Sequence, residues 1–251
     1  MAIKGQFLRS IALDLRRVES LDRYPLSMPA VQHLGRLEFH PRCTFLVGEN
    51  GSGKSTILEA LAISMGLQPE GGSRSFRFST HDSHSNLHRY LSVEKGILRP
   101  NDMYFLRAES FYNVATEIER LDKEGGAVSQ FYGGSLHAKS HGEAFFSLFT
   151  RRMFGRGLYI IDEPEAALSP NRQLALLARM SDLIRADSQF VIATHSPIVM
   201  AYPDAWIYEF TEEGPRRVEY EDTEHFQVTQ SFLSHRESML KELLRPDDSD
   251  E

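Results

Sequence analysis

The nine residues "GENGSGKST", Gly48–Thr56, limit the folds open to this chain more than any other stretch. The apolar run "CTFLV" leads into them, and "STILEALAISMGL" follows with helical periodicity. Gly48, Gly53, Lys54 and Ser55 satisfy the spacing G-x-x-x-x-G-K-[ST] in its required strand–loop–helix setting. The glycines let the backbone turn so that several amide N–H groups face one point. The helix N-terminus adds partial positive charge there, and Lys54 supplies a mobile full charge. Such a cradle suits the phosphates of a nucleotide such as ATP, with Gly48, Asn50, Gly51, Ser52, Gly53, Lys54, Ser55 and Thr56 as the expected contacts. The Ser55 hydroxyl is an expected Mg2+ ligand.

The rest of the pattern places that loop on a sheet. "FLRSIALDL" and "LGRLEFHPRCTFLV" read as early strands, separated by the loop "ESLDRYPLSMPAVQH". "DMYFLRA", "GLYIID" and "QFVIAT" are short, nearly continuous apolar runs, and "AWIYEF" with "RRVEY" reads as a terminal strand pair. Helices are expected over "SHSNLHRYLSVEKG", "SFYNVATEIERLDKEGG", "NRQLALLARMSDLIRA" and from near Thr223 through "FQVTQSFLSHRESMLKELL". Strands without polar alternation, separated by helices, imply a mainly parallel sheet covered on both faces, an α/β fold.

Composition sets the outer limits. The 251 residues are 41% hydrophobic and carry a net charge of −7, which argues against strong binding to phosphate backbones by the chain as a whole. No apolar run approaches the roughly 18–20 residues that span a bilayer, and charge interrupts the N-terminal "MAIKGQFLRSIALDLRRVES" too often for a signal peptide. The expectation is a cytoplasmic protein with no membrane insertion. Cys43 is the only cysteine and reads as a buried strand residue. The acidic "RPDDSDE" lacks an apolar anchor, so residues 246–251 read as a disordered tail.

Two further strand ends carry chemistry. "GLYIIDEPEAALSP" delivers Asp162 and Glu163 to the carboxyl end of a strand, where Asp162 can join the Mg2+ shell and Glu163 can polarise an attacking water. Glu165 reads as solvated or structural. "QFVIATHSP" delivers His195 to the same edge as a donor to phosphate and water. His81, His84 and His88 put two rings on one helical face, but no third metal ligand is evident. Ser140 with Glu143 forms a capping box before the apolar run "AFFSLF".

The series "GENGSGKS", "KSHGEAF", "IIDEPEAALSP" and "IATHSP", over about residues 1–210, resembles in content and order the ATP-binding-cassette (ABC) ATPases. The resemblance implies a P-loop NTPase head with a mainly parallel sheet, N-terminal antiparallel strands and a small helical signature lobe. Residues 1–245 would form one ABC-type ATPase domain, with the lobe at about 80–155. It implies that Ser140, Gly142 and Glu143 are a signature motif that contacts ATP held by a second molecule, so that two copies form an ATP-dependent homodimer. His141 stands where the family commonly has glycine. The family's Q-loop glutamine is absent, and Arg107 or Glu109 in "YFLRAES" occupies its place. Tyr24 lies as far upstream as the adenine-stacking aromatic of transporter cassettes, and equally reads as a loop tyrosine.

Among ABC ATPases the motifs look like those of the soluble RecF/SMC-like and OLD-like heads, called AAA-family ATPases. The short interval from phosphate loop to signature leaves no room for a coiled-coil arm. The implied activity is hydrolysis of ATP to ADP and phosphate, as a switch in a DNA-maintenance or defence-type complex with an unidentified protein effector. The alternatives are a nucleotide-binding subunit of an ABC transporter and a non-catalytic ATP-binding scaffold.

Overall fold

The computed structural model describes residues 6–73, 85–126, 128–132, 134–136 and 141–245. Among them the strands are β1 (Leu8–Leu13), β2 (Arg36–Glu38), β3 (Cys43–Gly48), β4 (Gly72–Ser73), β5 (Leu91–Lys95), β6 (Asp102–Arg107), β7 (Gly157–Asp162), β8 (Gln189–Ala193), β9 (Trp206–Thr211) and β10 (Gly214–Val218). The helices are α1 (Pro29–Gln32), α2 (Lys54–Ser64), α3 (Phe111–Lys123), α4 (His141–Arg151), α5 (Pro170–Arg185), α6 (Pro197–Met200), α7 (Glu224–Ser234) and α8 (Arg236–Leu243).

Seven strands form one sheet in the order β10-β9-β3-β8-β7-β6-β4. The inner neighbours from β9 to β6 are all parallel, and both edge pairs are antiparallel. Every residue of β3, β7 and β8 is buried. Their side chains alternate between two cores. Phe45, Tyr159, Ile161, Phe190 and Ile192 point to the face covered by α3 to α6. Leu46, Leu158, Ile160 and Val191 point to the face covered by α1, α2 and a smaller antiparallel sheet, β2-β1-β5. Double burial explains why these strands read as apolar runs rather than as alternating ones. The expected fold, an α/β P-loop NTPase with antiparallel N-terminal strands and a mainly parallel core sheet, is the one observed.

One residue joins the two sheets. Gln189 opens β8 with a wholly buried amide, whose Oε1 accepts from Phe7 N and Leu8 N at 2.9 Å each. Its Nε2 donates to Leu8 O at 2.8 Å and His40 O at 3.0 Å. All four hydrogen-bonding capacities of the amide are therefore used, and they bring β1 alongside the start of β8.

Some local expectations fail. "SHSNLHRYLSVEKG" is not a helix in its described part: Asn86–Arg89 forms a 3₁₀ turn, and β5 pairs with β1 through Ile11↔Val93 and Leu13↔Leu91. Pairing with an open strand edge outweighs a helical pattern that covers only a few residues. Residues 91–107 supply β5 and β6 to the sheets, and the helices α3 and α4 follow them. The closing helix is split at His235 into α7 and α8. His81, His84, Ser140 and the tail 246–251 lie outside the described residues. Cys43 is buried in β3, where the surrounding apolar atoms push its thiol pKa up.

The Gln189 joint yields a stability prediction. Gln189→Leu strands two buried amide donors and lowers the unfolding free energy by about 2–4 kcal/mol, read from urea melts. An unchanged melt would show that the inter-sheet bonds contribute nothing.

Candidate nucleotide site

The site is assembled by strand register. Leu46 pairs with Ala193, Ala193 with Asp162, and Asp162 with Arg107, a single row across β3, β8, β7 and β6. The chain leaves each strand at or just beyond that row. Gly48 to Ser55, Asp162 and Glu163, His195 and Arg107 are therefore gathered at the carboxyl edge of the sheet, where open α/β folds present their ligand crevices.

Gly48 is held at φ 134, and a Cβ there would come 2.6 Å from Phe210 O of β9. Only glycine lets the loop start so close to the neighbouring strand. Lys54, the first residue of α2, is buried and curls back over the loop. Its Nζ donates to Gly48 O at 2.8 Å, Glu49 O at 2.7 Å and Ser52 Oγ at 3.2 Å. Burial holds its pKa below the ordinary lysine value, against the opposing pull of Glu163, Asp162 and Glu165. Asn50 and Gly51 are exposed on the loop, and Thr56 lies in the first turn of α2. A cavity of about 490 Å³ flanks Gly48 to Ser52 and is also lined by Met28, Phe210 and Glu224.

Ser55 Oγ donates to Asp162 Oδ1 at 2.9 Å. Burial pushes the Asp162 carboxyl up to about 6, although Arg107 and Ser55 both pull it down. A hydroxyl and a carboxylate oxygen held together are a hard-cation donor pair. Mg2+ commonly takes one or two protein oxygens and completes its shell with water and phosphate, so this pair fits it. Among the described residues no group of three His, Cys, Asp or Glu forms a self-sufficient metal cage. His88 sits in the 3₁₀ turn before β5.

Glu163 follows with φ 51 and ψ 55, a left-handed conformation that is rare outside glycine and recurs at functional carboxylates. Its Oε1 lies 3.6 Å from His195 Nε2. Glu165 has a structural place: its carboxylate accepts from Thr194 Oγ1 at 2.8 Å and from the His195 backbone N–H, fixing the loop that carries the histidine. Sequence reasoning missed His225, whose Nε2 lies 3.0 Å from His195 Nδ1. It lies in the first turn of α7, far along the chain, and only the fold reveals the pair.

Arg107 ends β6 at the same edge. It donates to Glu59 Oε2 at 2.9 Å, and its Nε approaches Asp162 Oδ2 at 3.5 Å. Glu109 is its outer partner at 3.5 Å. Tyr24 is an exposed loop residue at the rim of a second cavity, of about 450 Å³, bounded by Ser55, Glu59 and Arg107. His141, Gly142 and Glu143 open α4, and Glu143 Oε1 faces Arg172 at 3.6 Å.

A family model described as "AAA domain" matches residues 31–143, and one described as "AAA domain, putative AbiEii toxin, Type IV TA system" matches residues 143–201. The chain is 27% identical over 161 residues to the cytochrome c biogenesis ATP-binding export protein CcmA of Rhodopseudomonas palustris, covering 61% of this chain and 78% of that one. It is 28% identical over 170 residues to the vitamin B12 import ATP-binding protein BtuD of Yersinia enterocolitica, covering 61% of this chain and 66% of that one. A solved SMC head domain from Thermotoga maritima superposes with a TM-score of 0.39 at 16% identity, over 73% of this chain and 92% of that one. With AAA-domain matches over residues 31–143 and 143–201 and the strand–loop–helix in place, the chain is a P-loop NTPase related to the AAA and ABC ATPases.

Proposed function

We propose that this chain binds Mg-ATP in the Gly48–Thr56 loop, closes head to tail with a second copy around the nucleotide, and hydrolyses ATP to ADP and phosphate. The observation that carries this reading is the convergence of Lys54, the Ser55–Asp162 pair, Glu163 and His195 at one sheet edge. The functional unit proposed is residues 1–245 as one domain.

In this reading Lys54 and the loop amides neutralise the β- and γ-phosphates. Ser55 and Asp162 would hold Mg2+, which when bound would supply charge stabilisation to the transferring phosphoryl group. Glu163 orients the attacking water and accepts its proton, and His195 donates from Nε2 to the phosphate oxygens. Ser140, Gly142 and Glu143 of a second copy would complete each site. The net charge of −7 lends no support to direct nucleic-acid binding, so a role as a switch in DNA maintenance or defence would run through a protein effector.

The transporter-subunit reading has one observation in its favour: both curated relatives are named as ATP-binding proteins of export or import systems. Among the described residues no helix is long and apolar enough to cross a membrane.

Light scattering of Glu163→Gln separates these readings. The variant is expected to lose at least about a hundredfold in phosphate release while retaining ATP. Its mass should double with Mg-ATP and return to monomer when Ser140→Arg is added. A wild-type chain that neither hydrolyses ATP nor associates with it would overturn the proposal. A monomer at saturating Mg-ATP would favour the transporter reading.

The buried carboxylate makes a second prediction. A carboxyl whose folded pKa is raised favours folding most below its unfolded value, near 3.8, and that advantage is lost as pH rises through about 6. In magnesium-free buffer at pH 7.5, Asp162→Asn should therefore be more stable than wild type by about 1–3 kcal/mol, with the difference shrinking toward pH 4. Denaturant melts at both pH values check this. A less stable variant at pH 7.5 would contradict it.

A further inference from the structure

The imidazole of His225 meets that of His195 edge to edge, Nε2 to Nδ1 at 3.0 Å, with ring centroids 5.1 Å apart. Its position is fixed from three sides. Thr223 Oγ1 caps α7 by accepting from Phe226 N, Glu224 N donates to Glu209 Oε1 of β9 at 3.0 Å, and the Tyr220 hydroxyl donates to Pro197 O of α6 at 3.0 Å. The two outer ring nitrogens, His195 Nε2 and His225 Nδ1, are buried and have no hydrogen-bond partner among the described residues.

Two neutral imidazoles in contact share one proton between them, and only two arrangements exist. Either His225 Nε2–H donates and His195 carries its own proton on Nε2, or His195 Nδ1–H donates and its Nε2 is a bare lone pair. Burial and the charge of Lys54 hold both rings below the ordinary histidine value, so both are neutral near pH 7. Glu163 Oε1 lies 3.6 Å from His195 Nε2. A carboxylate attracts an N–H there and repels a lone pair, which selects the first arrangement.

We propose that His225 is a positioning residue: by donating from Nε2 to His195 Nδ1, it fixes the His195 ring and keeps its proton on Nε2, directed at Glu163 and the reacting phosphate. In this role it acts through His195. The catalytic consequence rests on the hydrolysis reading of Glu163, whereas the tautomer does not.

The test is ¹⁵N NMR of the full chain labelled at histidine, with His195 assigned by its loss in His195→Gln. In the wild type, His195 should show a protonated Nε2 and an unprotonated, hydrogen-bonded Nδ1. In His225→Leu the two signals should move toward exchanging-tautomer values, with kcat down about ten- to a hundredfold and the KM for ATP unchanged. His225→Gln, whose side-chain amide can donate to the same nitrogen, should restore the wild-type signals and most of kcat. A wild-type His195 protonated on Nδ1 overturns the proposal, as does His225→Leu with unchanged signals and kcat. If wild-type protein released no phosphate, the hydrolysis reading would fall while the spectra still decided the pairing. If His225→Leu failed to fold, the wild-type and His225→Gln spectra would decide it.

Discussion

The parallel register of four strands is the constraint on which the rest of the structure depends. Leu46, Ala193, Asp162 and Arg107 lie in one row, so every residue that leaves the sheet beyond it enters the same small volume. A one-residue slip of β7 would turn Asp162 away from Ser55 and transfer Tyr159 and Ile161 to the opposite core. The packing that forbids the slip is therefore the same packing that positions the site. Strands buried on both faces have no tolerant side, which is why a crevice at their ends can be defined by residues so far apart in sequence.

That edge concentrates charge in a place that burial makes unfavourable for it. Lys54 and Asp162 are both buried, and each is held in its less charged direction by desolvation. Arg107 spans Glu59 and Asp162 and offsets part of the cost. Glu163 adds a left-handed backbone. A fold optimised for stability alone would place none of these groups here. Their coexistence is intelligible if phosphates and a divalent cation are what the edge accommodates, since those ligands satisfy Lys54 and Asp162 together.

The sequence made the main sheet and the nucleotide loop readable because both are local signals. An apolar run of five or six residues marks a doubly buried strand, and the glycine spacing marks the loop. What it hid was whatever depends on a distant partner. Leu91–Lys95 carries a helix-compatible pattern, yet β1 claims it as a neighbour. Gln189 looks like the polar boundary of a strand, and only the approach of Phe7 and Leu8 shows it to be a joint. His225 sits in the first turn of an amphipathic helix with nothing nearby in sequence to mark it, because its partner is thirty residues away, at the end of β8. Arg107 closes an apolar strand run, and its pairing with Glu59 appears only in the fold.

The start of α4 shows how a feature can be local in sequence and still be shaped from outside. A Cβ at Gly142 would lie 2.5 Å from an Arg172 guanidinium nitrogen and 2.8 Å from Ala167 O. Ala167 closes the 3₁₀ turn that begins directly after Glu163, and Arg172 lies in the first turn of α5 beyond it. Glycine is needed at 142 for this contact rather than for backbone freedom, and Glu143 faces Arg172 beside it. The first turn of α4 thus rests on the same segment that carries the acidic group of the site.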